Sequence, residues 1–179
     1  MMEFEEKTIH KESIYEGNIV NVSVHDVTLP NGKTSKREII NHPGAVAVIA
    51  VTEEYKLVMV RQYRKALEKE IIEIPAGKLE KEEPPIQSAA RELEEETGYK
   101  TESLTKVTSF YTSPGFADEI IHLYEAGKLK EGETYTDDDE FVEVMEVSLE
   151  EAEDLIEEER IHDAKTMFAV QYLKLKRLD

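Results

Sequence analysis

The chain of 179 residues contains no cysteine. Disulfide bonds, zinc sites built from thiolates and cysteine nucleophiles are therefore excluded. The sequence also lacks an apolar run long enough to cross a bilayer. Its first ten residues, MMEFEEKTIH, are polar and acidic, unlike a signal peptide. These absences lead us to expect a cytoplasmic location.

Several common catalytic motifs are missing as well. There is no Gly-x-Ser-x-Gly element, so Ser113 is not expected to be a nucleophile, and there is no Walker motif. The histidines lack the spacing of metal ligands and are expected to be surface or structural residues: His10, His25, His42, His122 and His162. The length and the absence of repeats indicate one domain with a small N-terminal extension.

Basic residues are outnumbered by acidic ones. The chain has 22 Lys+Arg against 40 Asp+Glu, which gives a formal net charge of −18. This charge argues against a nucleic-acid backbone or an anionic membrane as a partner. It also repels anionic substrates, so a phosphorylated ligand would need a metal ion and nearby arginines.

The hydrophobic pattern predicts an antiparallel meander followed by a mixed α/β domain. Residues 8–40 read as strands, with Pro30-Asn31-Gly32 as a turn. We assign residues 1–42 to this extension and residues 43–179 to the main domain. Residues 45–51 are nearly all apolar, as in a strand buried on both faces. Further strands are predicted at residues 55–63, 70–74, 104–110, 119–125 and 140–147.

A helix is predicted after a turn at Pro75-Ala76-Gly77. Pro84 and Pro85 suit its first turn, where a missing N–H costs nothing. Gly98 suits its end, because glycine tolerates the left-handed conformation. Residues at steps of four, three and four predict its buried stripe: Ile86, Ala90, Leu93 and Thr97. Later, Ser148 with Glu151 predicts a capping box for an acidic helix, and Asp163 is predicted to cap the last helix.

The predicted helix carries a cluster of glutamates. Glu92, Glu95 and Glu96 stand at i, i+3 and i+4, so their carboxylates gather on one patch and repel one another. A hard divalent cation would compensate the repulsion, and Arg91 can pair with Glu83 or a neighbouring glutamate. The alternative is that this run is a solvated face of a helix.

These residues form the pattern G-x5-E-x7-R-E-U-x-E-E-x-G-U between Gly77 and Tyr99, where U is a bulky apolar residue. The pattern resembles the Nudix box. Tyr99 replaces the usual aliphatic residue, a change that concerns packing rather than chemistry. The resemblance implies an α/β/α sandwich with a mixed sheet. It also implies metal-dependent hydrolysis of a diphosphate linked to another moiety.

A second segment narrows the resemblance. Residues 113–119 read SPGFADE and place Pro114 15 residues after Tyr99, as in the ADP-ribose pyrophosphatase group of the Nudix family. The alternative is that Pro114-Gly115 simply forms a tight turn. The resemblance implies cleavage of ADP-ribose to AMP and ribose 5-phosphate. The alternatives are another nucleoside diphosphate sugar, such as GDP-mannose, or a non-catalytic Nudix sensor that binds a nucleotide.

The resemblance also implies a metal site for Mg²⁺, with Mn²⁺ as the alternative. Its ligands would be the carbonyl of Ala76 and four carboxylates: Glu92, Glu95, Glu96 and Glu140. Glu95 is also a candidate catalytic residue. For the base that activates water, Glu140 is the first choice and Asp138 the second. The alternative reading of residues 137–140 is a solvated loop.

Substrate binding is assigned to four residues: Arg61, Arg64, Pro114 and Gly115. The two arginines end a predicted strand, and guanidinium forks fit a diphosphate. The alternative is that they are solvated charges at the end of a strand. Similar pyrophosphatases dimerise through N-terminal strands that line the partner's substrate pocket. The resemblance therefore implies a homodimer and a small-molecule substrate, while the net charge argues against nucleic acid and membrane as partners.

Overall fold

The computed structural model describes residues 4–132 and 141–177. They form two compact units. The first comprises residues 4–44 with Phe110–Ile120, and the second comprises Ala45–Ser109 with residues 121–132 and 141–177. Among the helices in these ranges, none is long and apolar enough to cross a membrane.

The first unit contains the predicted antiparallel meander. Its strands are β1 (Lys7–Glu16), β2 (Asn21–Thr28) and β3 (Thr34–Asn41), in the order β1-β2-β3. The turn between β2 and β3 is confirmed, because Gly32 has a φ of +80° and donates its N–H to the Leu29 carbonyl at 2.8 Å. All ten residues of β1 are exposed.

The second unit carries the mixed sheet and the described helices. After the meander, the elements in chain order are β4 (Ala45–Ile49), β5 (Leu57–Arg64), β6 (Lys69–Glu73), β7 (Ala76–Lys78), α1 (Pro85–Thr97), β8 (Tyr99–Thr101), β9 (Leu104–Tyr111), β10 (Ile120–Ala126), β11 (Leu129–Glu131), β12 (Val142–Val147), α2 (Leu149–Glu157) and α3 (Ala164–Arg177). The last two residues of β9 and the first residue of β10 are assigned to the first unit. One sheet has the order β7-β4-β10-β9, where β10 is parallel and β7 antiparallel to β4. The predicted mixed α/β class is confirmed.

The remaining strands of this unit form two smaller sheets. One has the order β12-β5-β6 and is antiparallel, and the other pairs β8 with β11. The β8–β11 pair was not predicted, because a three-residue strand is too short to show alternation. The predicted turn at Pro75-Ala76-Gly77 is wrong in part: Ala76 and Gly77 begin β7, which pairs with β4.

Helix α1 begins and ends where the prolines and the glycine predicted. Pro84 is its N-cap, Pro85 its first residue, and Gly98 its left-handed C-cap with a φ of +72°. The predicted stripe is wrong at Ile86 and Ala90, which are exposed. The buried residues are Ser88, Ala89, Leu93, Glu96 and Thr97. Small side chains near the start of α1 give a weak hydrophobic signal, yet they allow the helix to approach the sheet closely.

Part of the core of this unit is formed where α1 packs with residues of β4, β5 and β10. One cluster of its buried residues comprises Val46, Val48, Ala50, Val58, Ala89, Leu93 and Tyr124. Ser148 and Glu151 form the predicted capping box of α2. Asp163 caps α3 as predicted, since its Oδ1 accepts the Thr166 N–H at 3.1 Å.

Candidate active site

Arg91 lies among the glutamates of α1. Its Nη1 donates to Glu92 Oε1 at 2.8 Å and to Glu95 Oε2 at 2.7 Å. These bonds compensate carboxylates that would otherwise repel one another across one helical turn. The structure therefore brings Glu92 and Glu95 together through a shared cation, as the sequence predicted for Arg91.

Arg91 also reaches back to the residue that precedes the helix. Its Nε and Nη2 donate to the two carboxylate oxygens of Glu83, at 3.2 and 3.0 Å, and Nη2 also contacts Ser88 Oγ at 3.2 Å. The hydrogen bond from Arg91 holds the pKa of Glu83 below its ordinary value. In return, the hydrogen bond to Glu83 and the nearby glutamates raise the pKa of Arg91. The arginine is therefore permanently charged.

The third glutamate is held by strand β7. Glu96 is 4% exposed, and its Oε2 accepts the Ala76 N–H at 3.0 Å. The next residue, Gly77, lies so close to α1 that a Cβ there would overlap the carboxylate of Glu92. A larger residue at this position of the box would therefore displace the Glu92 carboxylate. Strand β7 and helix α1 together place Ala76 beside the carboxylates.

The carboxylate oxygens of this cluster are chemically suited to bind a hard divalent cation. Mg²⁺ prefers oxygen ligands, and carboxylates supply them. Within the two described ranges, no group of three or more acidic or histidine side chains is already arranged to hold a metal ion. Instead, Arg91 and the Ala76 N–H bind the carboxylates. A cation bound by Glu92, Glu95 and Glu96 would take over part of the charge compensation that Arg91 now provides.

The two predicted substrate arginines lie in different surroundings. Arg64 is the last residue of β5, and it forms a two-bond pair with Glu73, which is 2% exposed. Arg61 pairs with Glu143 and lies 3.6 Å from Glu70, and all three side chains are substantially exposed. The surroundings of Arg61 match a solvated strand end, whereas those of Arg64 do not.

Pro114 and Gly115 belong to the first unit. Their segment joins the end of β3, because Ile40 donates its N–H to the Phe116 carbonyl at 2.8 Å and accepts from the Asp118 N–H at 3.1 Å. Asp118 also accepts hydrogen bonds from the Asn41 side chain at 2.7 Å and the His42 N–H at 2.8 Å. The segment is therefore a fixed turn, and its role in substrate binding stays a prediction.

The two candidate bases lie outside the described residues. Glu140 and Asp138 are in the range 133–140, so their assignment continues to rest on the sequence.

One functional candidate escaped the sequence analysis. Glu73 is a charged residue between Ile72 and Ile74 in a strand that is otherwise apolar at this end. Buried charges are rare without a partner, so an isolated acid between isoleucines was the available signal. Its partners, Arg64 and Lys165, come from β5 and α3.

Two family models match the chain. The NUDIX domain model covers residues 41–170, and the nucleoside diphosphate sugar hydrolase N-terminal domain model covers residues 6–40. The chain belongs to the Nudix family. Nudix hydrolases generally use divalent metal ions, so the family agrees with the oxygen-rich cluster on α1.

Three similar proteins extend over nearly the whole Nudix chain. The ADP-ribose pyrophosphatase of Bacillus subtilis (strain 168) is 61% identical over 178 residues, which are 98% of this chain and 96% of that protein. The methanol dehydrogenase activator of Bacillus methanolicus is 62% identical over 175 residues, 97% of this chain and 95% of that protein. A crystal structure of ADP compounds hydrolase has a TM-score of 0.84 at 19% identity and covers 95% of this chain and 92% of its own. The similarity to that structure shows a shared fold. The Nudix family match and the 61% identity to the ADP-ribose pyrophosphatase of Bacillus subtilis indicate that this chain is a hydrolase.

We expect Gly77→Ala to lower the kcat of this Nudix hydrolase by roughly tenfold, because the new Cβ displaces the Glu92 carboxylate. Disturbing the partners of a metal site typically costs about 10- to 100-fold. The matched control is Gly127→Ala, whose Cβ would displace the hydroxyl of Ser103 instead. Steady-state kinetics and thermal melts check both variants. A Gly77→Ala protein with wild-type kcat would show that the position of Glu92 does not matter.

Arg91→Gln should lower the free energy of unfolding by about 1.5–3 kcal/mol, the usual worth of hydrogen bonds to charged groups. The low end is expected, because the Arg91 side chain is 27% exposed. Mg²⁺ should restore part of the loss, since a cation that binds the folded cluster stabilises it. Urea unfolding with Mg²⁺ and with EDTA measures both effects. Arg177→Gln, which removes an exposed pair with Glu150, is the control. Equal Mg²⁺ stabilisation of wild type and Arg91→Gln would contradict the expectation.

Proposed function

We propose that this chain hydrolyses the diphosphate of ADP-ribose to AMP and ribose 5-phosphate with Mg²⁺, or Mn²⁺ as the alternative. The observation that carries the proposal is the cluster of three glutamates on α1 beside β7, in which the Ala76 N–H binds Glu96 and Arg91 binds Glu92 and Glu95. The 61% identical relative named ADP-ribose pyrophosphatase supports the choice of substrate.

We assign one group of residues to metal binding and another group to substrate binding. The carboxylates of Glu92, Glu95 and Glu96, with the Ala76 carbonyl, would hold the metal. When bound, the metal neutralises phosphate charge and lowers the pKa of a bound water. Arg91 would orient Glu92 and Glu95 by donating hydrogen bonds to both carboxylates. Pro114 and Gly115 belong to the proposed substrate site, as do the two arginines of β5.

We also propose that the chain acts as a homodimer, with residues 1–42 forming the dimer contact and lining the partner's substrate pocket. Strand β1 is an edge strand, and both of its faces are exposed. It and its neighbouring residues expose several large apolar side chains: Phe4, Ile9, Ile14, Tyr15 and Ile19. An exposed apolar edge strand readily pairs with another chain. Light scattering at micromolar concentration should give twice the mass of one chain, and a monomer would contradict the dimer. The cytoplasmic location stays a prediction.

A substrate panel tests the proposed function. The panel contains ADP-ribose, GDP-mannose, NADH, diadenosine polyphosphates and dNTPs, each with Mg²⁺, and the products are identified by chromatography. ADP-ribose should have the highest kcat/KM and should yield AMP and ribose 5-phosphate. A clearly higher kcat/KM for GDP-mannose or a dNTP would contradict the proposed substrate, but it would still agree with diphosphate hydrolysis by a Nudix enzyme. No turnover of any compound would favour the non-catalytic sensor.

A second function is favoured by the relative named methanol dehydrogenase activator, which is 62% identical. In that case the chain would raise the activity of a dehydrogenase. The rate of a purified methanol dehydrogenase, measured with and without this chain, tests it. A rate increase with the wild type, together with negligible hydrolysis of ADP-ribose, would replace the proposed function by the second one.

A further inference from the structure

A buried carboxylate holds the predicted substrate arginine Arg64 by two bonds. Glu73 is the last residue of β6 and is 2% exposed. Arg64 donates from Nε to Glu73 Oε1 at 2.6 Å and from Nη2 to Glu73 Oε2 at 3.0 Å. Two parallel bonds fix the plane of the guanidinium as well as its position.

Glu73 is itself held by a second cation. Its carboxylate accepts a hydrogen bond from the Nζ of Lys165, which is 8% exposed. Lys165 also donates to Asp163 Oδ1 at 3.0 Å, and the same oxygen caps α3 by accepting the Thr166 N–H. Because Lys165 is anchored to the start of a helix, Glu73 cannot follow Arg64 if the arginine swings away.

The pair is ionised. Burial by itself raises the pKa of Glu73, but the hydrogen bond from Arg64 and the charge of Lys165 outweigh burial and lower it below its ordinary value. A buried carboxylate that lost these cations would be strongly destabilised. The ion pair therefore holds Arg64 in one place at neutral pH.

Arg64 lies within electrostatic reach of the box. Its pKa is raised first by the hydrogen bond to Glu73 and further by the negative charges of Glu73, Glu96 and Asp163. The Arg64 side chain is 40% exposed. The bonds to Glu73 come from Nε and Nη2. Glu73 thus fixes one edge of the guanidinium, while the exposed part of the side chain can be approached by an anion.

We propose that Glu73 is a positioning residue, which, together with Lys165, holds Arg64 in place to bind the diphosphate of the substrate. The inference deepens the proposed function and rests on it. An arginine that is already fixed loses little conformational freedom on binding. Loss of Glu73 should therefore weaken substrate binding far more than it slows the chemical step.

A double-mutant cycle tests this role with Glu73→Gln, Arg64→Gln and the double variant. The kcat and KM for ADP-ribose are measured with Mg²⁺, and the Kd for ADP-ribose is measured by calorimetry with Ca²⁺, another divalent cation that takes oxygen ligands, in place of Mg²⁺. Each single variant should raise KM and Kd by about 10- to 100-fold, the usual worth of a hydrogen bond to a charged group. The double variant should bind no more weakly than Arg64→Gln alone, because Glu73 acts only through Arg64. The kcat should change by less than about threefold.

Two further variants separate positioning from general stability. Glu150→Gln removes the exposed partner of Arg177 and should change KM by less than about twofold, as expected for a surface pair. Glu73→Asp keeps the charge but shortens the side chain, so it should fold even if Glu73→Gln does not. It should raise KM less than Arg64→Gln does.

The outcomes distinguish this inference from the proposed function. Additive effects of Glu73→Gln and Arg64→Gln on Kd, or a Glu73→Asp variant that loses kcat with unchanged KM, would overturn the positioning role alone. Non-additive binding without hydrolysis of ADP-ribose by the wild type would uphold the role and overturn the proposed function. A wild type that neither binds nor hydrolyses ADP-ribose would overturn both.

Discussion

Glu96→Gln should lower kcat by about 10³-fold, the upper range for removing one preorganised electrostatic group, while the protein stays folded. Glu96 is the buried member of the cluster, at 4% exposure. The variant loses the negative charge that we propose to bind the metal. Its amide oxygen can still accept the Ala76 N–H that Glu96 now binds. One source of repulsion within the cluster also disappears.

Steady-state kinetics with saturating Mg²⁺ and a thermal melt measure this effect. The melting temperature should change by less than about 4 °C, which corresponds to roughly 1 kcal/mol in a domain of this size. Glu94→Gln is the matched control, because it makes the same change on the same helix at a variable position of the box, where Glu94 pairs with Lys100 at 2.8 Å. Its kcat should stay within about twofold of wild type. Near-normal turnover by Glu96→Gln would refute the metal assignment.

Glu140→Gln should lower kcat by about 10²- to 10⁴-fold with little change in KM, the usual worth of a positioned general base. The expectation rests on the sequence, since Glu140 is outside the described residues. Asp138→Asn is its companion, because Asp138 is the second candidate for the base. Single-turnover and steady-state rates at saturating ADP-ribose measure both. If each variant keeps more than half of wild-type kcat, residues 137–140 are only a solvated connection.

The local features of the site could be predicted from the sequence because each depends on neighbours along the chain. The limits of α1 follow from Pro85 and Gly98, whose backbone preferences act within one helical turn. Arg91 lies one to eight positions from its carboxylate partners Glu83, Glu92 and Glu95. Such spacing places their side chains within reach once the helix forms.

The features that depend on packing could not be predicted in this way. In the sequence, Ile86 fits a helical stripe as well as Ala89 does. In the structure, the packing of α1 against β4 and β7 buries Ala89 and leaves Ile86 exposed. The effect of a side chain at position 77 likewise depends on the packing of β7 against Glu92, which the local sequence does not show. Glu73 meets Lys165 across 92 positions of sequence, and no local pattern links two residues so far apart.

The central claim is that the carboxylates of α1 support metal-dependent cleavage of a nucleoside diphosphate sugar. The most direct test is chromatography of ADP-ribose incubated with the wild type and with Glu96→Gln, in Mg²⁺ and in EDTA. We expect equal amounts of AMP and ribose 5-phosphate from the wild type in Mg²⁺, and almost none from the other three reactions. Equal product formation in EDTA, or by Glu96→Gln in Mg²⁺, would contradict the claim.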